Sequence, residues 1–323
     1  MLANEVNHGW TTCYQSGAGL AVNWNELDGK TVYDWNGTGQ PDPCPAPYAT
    51  RHQDRMTTLR FLHALLLYKA DTGSTQFESE ISNVEGTVLG LFTTSNPDPR
   101  GWAYDDMTEI AKLSGNSKFT DIADAMLALY ARSPYKDTRP DYQFEEASAL
   151  VQSGEPAYVT QGTAELNSYW NSYYLGNLQL INEPTEIESA ENGDIAIALA
   201  LAGMTTRAED IAQGMQNVLW DPVYGGYYEG ATYTNGIVAI KNKKTGGRSM
   251  NMMELGKILH DQTLVTQMDA LFQAHIYQSS PVGYEGVLYE QQRDWQPYVL
   301  GGTTENWVTS EAMGISVIAL LTQ

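Results

Sequence analysis

The chain has 323 residues, of which 42% are hydrophobic, and it carries a formal net charge of −21 from 39 acidic and 18 basic side chains. This apolar content excludes a disordered chain, and no apolar run approaches the roughly 20 residues that a membrane-spanning helix needs. The negative charge opposes binding to nucleic acid and to anionic lipid, and it favours a neutral substrate.

Residues 1–50 are predicted to form an irregular N-terminal arm, because the segment is rich in Gly, Pro and Asn and shows no long helical pattern. The arm contains the two cysteines of the chain, Cys13 and Cys44, which we interpret as a disulfide that staples it. Two unrelated free thiols are the alternative. The start MLANEVNHGW lacks the basic and apolar regions of a signal peptide, so a secreted or cell-surface location is a hypothesis beside a cytoplasmic one.

From residue 51 onward the apolar residues follow a helical spacing, as in RHQDRMTTLRFLHALLLYKA. Four later stretches share one pattern, in which an apolar helix end and a short break are followed by a second amphipathic helix. They are LLLYKADTGSTQFESEI, IAKLSGNSKFTDIADAML, ALALAGMTTRAEDIAQGM and LGKILHDQTLVTQMDALF. Three of the four breaks contain Gly, the usual residue after a helix C-terminus.

These breaks recur at a regular interval. Gly73 and Gly115 lie 42 residues apart, and Gly203 follows 88 residues later, about twice that interval. A helical hairpin repeated every 40–50 residues or so indicates a solenoid or a closed ring, with room for roughly six hairpins. Because several loops are long and rich in Trp and Tyr, we predict a ring: one all-α (α/α)6 toroid domain over residues 51–323.

Aromatic residues favour a carbohydrate substrate. The chain has 8 Trp and 20 Tyr but only 6 Phe, and Trp and Tyr combine a flat apolar face with a polar edge that matches a sugar ring. The candidate platforms are Trp102, Tyr104, Tyr227, Tyr228, Trp295 and Trp307. In the alternative interpretation, about half of the aromatic side chains only pack between helices.

The stretch YDDM at 104–107 offers two adjacent carboxyl groups, Asp105 and Asp106, before an apparent helix. Glycoside hydrolysis uses two carboxyl groups, one as acid and one as nucleophile or base. At a helix N-terminus both side chains can face one opening, and the helix dipole favours a carboxylate there. The competing interpretation is a helix cap, since Asp106 and Glu109 have the spacing of a capping box.

YDDM and the helix after it resemble the catalytic segment of family 76 glycoside hydrolases, which are endo-acting α-1,6-mannanases built on an (α/α)6 toroid. WDPVYGGYYEG and the later AIKNKKTGGRSMNMMELGKIL resemble a second segment of that family, through Gly225, Gly226, Tyr227, Lys241, Asn242 and Asn251. The resemblance implies that Asp105 is the nucleophile and Asp106 the acid/base, and that the anomeric configuration is retained. It also places Lys241 and Asn242 at the substrate. No cofactor is predicted.

Other carboxylates are weaker candidates. Glu229 and Glu305 lie in aromatic loops, where they could bind sugar hydroxyls or could be solvated turn residues. Glu145 and Glu146 form an alternative pair, which we expect in an exposed first helical turn. The five histidines, His8, His52, His63, His260 and His275, show no metal-site spacing, so no metal is predicted, and His63 is expected to pack within a helix.

The sequence therefore predicts a monomeric glycoside hydrolase that acts on a neutral polysaccharide or oligosaccharide, without nucleic-acid or membrane partners. A sugar epimerase of the N-acylglucosamine 2-epimerase type is the first alternative, and it requires two histidines in the cavity, such as His260 or His275 opposite another. A polysaccharide lyase would need a Tyr or His base and a cation to neutralise a uronate. A non-catalytic glycan-binding protein would need no paired carboxylates.

Overall fold

The structure is a computed structural model. It describes residues 55–98, 100–132, 139–183, 186–279, 290–296 and 307–322, together with short strands at 24–26, 31–33, 41–43, 285–287, 298–300 and 303–305. At residues 307–313 and in these short strands it defines the backbone alone. Cys13 and Cys44 lie outside the described residues, so both the disulfide and the boundary of the arm at residue 50 stay predictions.

Eleven α-helices lie in the described part of the chain. They are α1 (Arg55–Thr72), α2 (Glu78–Leu91), α3 (Trp102–Ser114), α4 (Ser117–Arg132), α5 (Pro140–Gln152), α6 (Pro156–Tyr173), α7 (Ser189–Leu201), α8 (Thr205–Gly214), α9 (Asn251–Ile258), α10 (Gln262–Leu271) and α11 (Ser310–Leu321). Single π-helical turns, Met215–Leu219 and Phe272–Ile276, extend α8 and α10.

The odd-numbered helices form a closed inner ring. Each of α1, α3, α5, α7 and α9 packs against the next odd-numbered helix, and α11 packs against α1. Each even-numbered helix packs outside against the inner helix that precedes it, as expected for antiparallel hairpins. This is the predicted (α/α)6 toroid. The buried apolar side chains form two clusters, one mainly on α1 to α4 and the other mainly on α5 to α11.

The hairpin turns confirm the predicted glycine breaks. Gly73, Gly115 and Gly203 have φ angles of +64°, +67° and +76°, which favour a residue without a Cβ atom. Gly154, with φ +69°, ends the hairpin helix that fills the 88-residue interval. In the fourth break, which lacks glycine, His260 takes the left-handed conformation with φ +57°.

The loops contain short antiparallel strands. Three of these strands, β6, β9 and β15, precede inner helices. β1 (Trp24–Glu26), β2 (Thr31–Tyr33), β3 (Pro41–Pro43) and β15 (Trp307–Thr309) form one sheet in the order β15-β1-β2-β3. β6 (Glu186–Glu188), β7 (Gly230–Thr234) and β8 (Ile237–Ile240) form another, and β9 (Lys243–Thr245) pairs with β12 (Glu290–Gln292). The two-stranded pairs are β4 (Tyr174–Leu175) with β5 (Leu180–Ile181), β10 (Tyr277–Ser279) with β11 (Glu285–Val287), and β13 (Tyr298–Leu300) with β14 (Thr303–Glu305).

Because β6, β9 and β15 precede α7, α9 and α11, these loops lie at the N-terminal rim of the inner ring. None of the described helices combines the length and the apolarity that a bilayer crossing requires.

Gly101 sets the close approach of α3 to α5. A Cβ atom at this position would collide with the backbone nitrogen of Glu146 and the carbonyl carbon of Glu145. Since backbone atoms in a packed helix cannot move aside, Gly101→Ala is expected to lower the free energy of unfolding by about 1–3 kcal/mol. Denaturant unfolding measures this loss.

The matched control is Gly86→Ala in α2, where a Cβ atom meets nothing within 4 Å. An alanine within an exposed helix is expected to stabilise the fold by about 0.5–1 kcal/mol. Equal effects of the two substitutions would contradict the close approach of α3 to α5.

Candidate active site

A cavity of about 610 Å³ runs along the axis of the ring, and all six inner helices line it. In addition to the aspartate pair, its polar lining includes Arg60, His63, Glu145, Asp194, Asn251 and Glu254. Toward the C-terminal ends of the inner helices the lining is mainly apolar and includes Leu67, Ile197, Leu201, Ile258, Ile318 and Leu321. The cavity therefore places ionisable groups within an otherwise closed helical ring.

The aspartate pair lies in this cavity, but it does not cap a helix. Helix α3 begins at Trp102 with Gly101 as its N-cap residue and no side-chain cap bond, so the capping-box interpretation is wrong. Trp102, which is 5% exposed, is the first residue of the helix, three residues before Asp105. Asp105 and Asp106 both line the cavity from the first two turns of α3.

The two neighbouring aspartates have different partners. Gln152, from the end of α5, donates from Nε2 to Asp105 Oδ1 at 3.0 Å. Asp106 is 7% exposed. Its Oδ1 lies 2.7 Å from His63 Nδ1, and its Oδ2 lies 3.6 Å from Arg60 Nε. Asp105 thus has a neutral partner, whereas Asp106 has two basic ones.

Burial perturbs several carboxyl groups of the cavity. Desolvation raises the pKa of Asp105 to about 7. The hydrogen bond from Gln152 lowers this pKa, whereas the nearby charges of Asp106 and Glu109 raise it further. On α9, desolvation raises the pKa of Glu254 to about 7. The pKa values of Glu145 and Asp194 are also raised by burial. The cavity therefore holds carboxyl groups that exchange protons near neutral pH.

Some of these residues were not anticipated from the sequence. Glu145 and Glu146, expected in an exposed turn, are 8% and 2% exposed, because α5 begins five residues earlier and both lie in its packed second turn. Arg60 and His63, in LRFLHALLL, are one turn apart on an apolar helix. Asn251 and Glu254 have the same spacing. A pair of polar residues one turn apart on an inner helix was the sequence signal that could have identified these cavity residues.

Of the two aromatic substrate contacts predicted beside the aspartate pair, Trp102 lies at the cavity and Tyr104 does not. Trp102 lines the cavity, with the guanidinium groups of Arg100 and Arg60 4.9 and 5.8 Å from its ring centroid. Tyr104 is 6% exposed and belongs to the hydrophobic core, where burial raises its pKa to about 12. Tyr104 packs between helices and does not line the cavity.

The Gly-Gly-aromatic segment builds a separate buried cluster. Gly225 and Gly226 have φ angles of +70° and +78°, and Tyr227 is fully buried in the core. The ring of Tyr228 lies 4.5 Å from Lys244 Nζ. The Lys244 ammonium donates to the carbonyl oxygens of Gly225 and Gly226 at 2.6 and 3.0 Å, so it braces this turn.

Three further predicted substrate contacts, Lys241, Asn242 and Glu229, lie on the loops and are not among the lining residues of the described cavity. Lys241 Nζ lies 2.6 Å from Glu186 Oε2, and Asn242 is exposed. Glu229 Oε2 is 4.0 Å from Lys243 Nζ.

Trp295 stacks on His275 with ring centroids 4.9 Å apart. Glu305 and Trp307 lie in β14 and β15, but their side chains are outside the described residues.

Histidines are scarce in the cavity. His63 is the one histidine among the described lining residues, whereas His260 lies in the turn after α9 and His275 packs on Trp295. His8 and His52 lie outside the described residues. The expectation that His63 only packs within a helix is incomplete, because it is buried but also contacts Asp106 in the cavity.

A closed ring of helical hairpins around a carboxylate-lined cavity defines the class of six-hairpin (α/α)6 toroids. The chain is similar to a D-mannose isomerase at 11% identity, covering 98% of this chain and 94% of that one with a TM-score of 0.68. The cellobiose 2-epimerase of Bacillus thermoamylovorans B4167 matches at 10% identity, covering 99% and 97% with a TM-score of 0.66. The GH76 α-mannanase of Bacteroides thetaiotaomicron matches at 8% identity, covering 99% and 96% with a TM-score of 0.61.

No protein-family model and no curated protein sequence matches the chain. The solved structures that share the fold include glycoside hydrolases, epimerases, an isomerase and a polysaccharide lyase. At these identities the similarity establishes the fold.

Glu254 is expected to make stability depend on pH. Its pKa rises from 4.5 to about 7 on folding, so between these pH values the folded state holds a proton that the unfolded state has lost. Stability therefore falls as the pH rises through this window. Glu254→Gln is expected to reduce that fall by on the order of 1–3 kcal/mol. Urea unfolding at pH 4.5 and at pH 7.5 measures the change, and an unaltered slope would contradict it.

Proposed function

We propose that the protein is a glycoside hydrolase that cleaves a neutral polysaccharide or oligosaccharide in the central cavity, with Asp105 and Asp106 as its two carboxyl groups. The supporting observation is that two adjacent carboxyl groups share one cavity in different environments. Burial raises the pKa of Asp105 to about 7, whereas Asp106 lies between His63 and Arg60. Carboxyl groups whose environments differ in this way suit separate acid and nucleophile roles.

These environments favour roles opposite to those that the family resemblance implies. Asp105, protonated near neutral pH, would donate its proton to the glycosidic oxygen as the bond to the anomeric carbon breaks. Asp106 would attack the anomeric carbon as a carboxylate, and a water deprotonated by Asp105 would then break the glycosyl–Asp106 bond, which retains the configuration. If Asp106 activated a water directly, the configuration would invert. Arg60 and His63 would hold the Asp106 carboxylate in place, and the resemblance implies retention of configuration.

The charge of the cavity lining supports a neutral substrate. Among the described lining residues, seven are acidic and two, Arg60 and Lys112, carry a permanent positive charge. A uronate substrate would meet net repulsion there, which disfavours lyase chemistry. Because the sequence resembles α-1,6-mannanases and a solved α-mannanase shares the fold, α-mannan is the first substrate to test.

The test is a screen of neutral α- and β-glycans, α-mannans first, with product mass and anomeric configuration determined by NMR. Hydrolysis that Asp105→Asn and Asp106→Asn abolish without unfolding the protein would support the proposal. Full activity in both variants would refute it. An isomerised product of unchanged mass would identify an epimerase, an unsaturated sugar would identify a lyase, and saturable binding without turnover would identify a glycan-binding protein.

We further propose that the enzyme acts as a secreted monomer whose N-terminal arm is closed by the Cys13–Cys44 disulfide. Gel filtration with light scattering measures the oligomeric state. Mass spectrometry after alkylation, with and without reductant, measures the disulfide, and two alkylatable thiols in the native protein would exclude it.

A further inference from the structure

At the N-terminal rim of the ring, three carboxylates converge outside the cavity. Asp141 is the second residue of α5, Glu191 is the third residue of α7, and Glu183 lies in the loop before β6. One carboxylate oxygen from each lies within 4.8 Å of the others. Three carboxyl groups so close together cannot all stay ionised in a partly desolvated site unless a cation or a proton compensates their charge.

Arg139 compensates part of this charge. Its Nε and Nη2 donate to Asp141 at 3.2 and 2.5 Å, and Nη2 also donates to Glu191 Oε1 at 2.9 Å. One guanidinium thus faces three carboxylates.

Apart from a carboxyl–carboxyl hydrogen bond between Glu183 and Glu191, two oxygens of the cluster have no partner among the described residues. Glu191 is 6% exposed, and its buried Oε2 has no donor. Glu183 Oε1 is also buried without a donor. An unsatisfied buried carboxylate oxygen is costly, and a bound cation would satisfy it.

We infer that Asp141, Glu183 and Glu191 form a Ca²⁺ site, in which the cation ties the loop before β6 to the N-terminal ends of α5 and α7. Carboxylate oxygens are the ligands that hard divalent cations prefer. Ca²⁺ spans oxygens up to about 5 Å apart, twice its ligand distance, whereas Mg²⁺ spans about 4.2 Å and demands a tighter octahedron. Water would complete the coordination.

The experiment uses the full chain after treatment with EDTA and gel filtration, because Ca²⁺ carried through purification would mask the response. Calorimetric titration with CaCl₂ is expected to show saturable binding of one ion. A hundredfold excess over Kd is expected to raise Tm by about 5 °C. The same measurements with MgCl₂, and with NaCl at matched ionic strength, show how much of the heat and of the Tm shift comes from general binding of cations to the acidic surface.

Two variants connect this response to the cluster. Glu183→Gln, in a loop and only half-buried, carries little risk to folding, and it is expected to weaken Ca²⁺ binding roughly tenfold or more. Glu191→Gln is expected to weaken it at least as much. Glu209→Gln, an exposed residue of α8 with the same change of charge, is expected to bind Ca²⁺ like the unmodified protein.

Three results would overturn the assignment. The first is the absence of heat and of a Tm shift with Ca²⁺ in the unmodified protein, as expected if Glu183 and Glu191 share a proton instead. The second is equal Ca²⁺ affinity in Glu183→Gln and the unmodified protein, which would move the binding elsewhere. The third is a response to Mg²⁺ equal to that to Ca²⁺, which would remove the preference for calcium. None of these readouts depends on enzymatic activity.

Discussion

Asp105→Asn is expected to lower kcat on the substrate glycan by about 10²–10⁴-fold, the usual contribution of a general acid. The asparagine side chain keeps the shape of the aspartate, and its oxygen can still accept from Gln152 Nε2, which lies 3.0 Å from Asp105 Oδ1. It cannot give a proton to the leaving oxygen. The loss should therefore fall on kcat, while KM and Tm change little.

The pH dependence of the unmodified enzyme provides a second readout. Since the pKa of Asp105 is about 7, the protonated acid is lost as the pH rises through that value, and kcat is expected to decline there.

The control for this substitution is Asp121→Asn, an exposed position on α4, which should leave kcat unchanged. Steady-state kinetics with circular dichroism on the purified variants measures both quantities. If Asp105→Asn retained kcat within a factor of two or so, Asp105 would not be the acid.

Lys244→Met is expected to destabilise the fold by about 3 kcal/mol, at the lower end of the range for breaking a buried ion pair. Lys244 and Asp221 are both fully buried, with Lys244 Nζ 3.1 Å from Asp221 Oδ2. Removing the ammonium also leaves the carbonyl oxygen of Gly225 without its donor, whereas that of Gly226 still accepts from the backbone N–H of Asp221 at 3.0 Å. Arg293, 2.8 Å from the same carboxylate, limits the loss.

The matched control for Lys244→Met is its neighbour Lys243→Met, whose partly exposed ammonium lies 4.0 Å from Glu229. That pair is expected to contribute less than about 1 kcal/mol. Thermal and urea unfolding compare the two variants. A loss of stability from Lys243→Met as large as that from Lys244→Met would contradict the stabilising role of the buried Lys244 ammonium. The stability loss is expected without a matching loss of kcat at low temperature, because Lys244 does not line the cavity.

The hairpin architecture could be predicted because it depends on sequence patterns between residues that are close along the chain. Helical spacing of apolar residues and glycines at the turns recur along the chain, and both depend on residues near in sequence. Even the doubled interval before Gly203 was informative, since Gly154 fills it. The step from hairpins to a closed ring rested on loop composition, and the structure confirms it.

The cavity could be predicted only in part, because its contacts depend on how the inner helices are offset along the axis. His63 meets Asp106 across 43 residues of sequence, and Gln152 at the end of α5 reaches Asp105 at the start of α3. No local pattern specifies such offsets. Local rules also misled where tertiary burial prevailed, as at Trp102, which begins α3 ahead of the aspartates.

The contact between α11 and α1 has a consequence for how the chain reaches its native state. These helices are separated by more than 230 residues of sequence, and α11 also meets α9, where Lys257 donates to the carbonyl oxygens of Leu320 and Thr322. During synthesis, the earlier hairpins can associate as an open arc, but the wall between α1 and α9 must wait for the final helix to leave the ribosome. Until then the apolar faces of α1 and α9 stay exposed to water. Nascent chains halted before Ser310 are therefore expected to bind chaperones, whereas chains that include α11 are not.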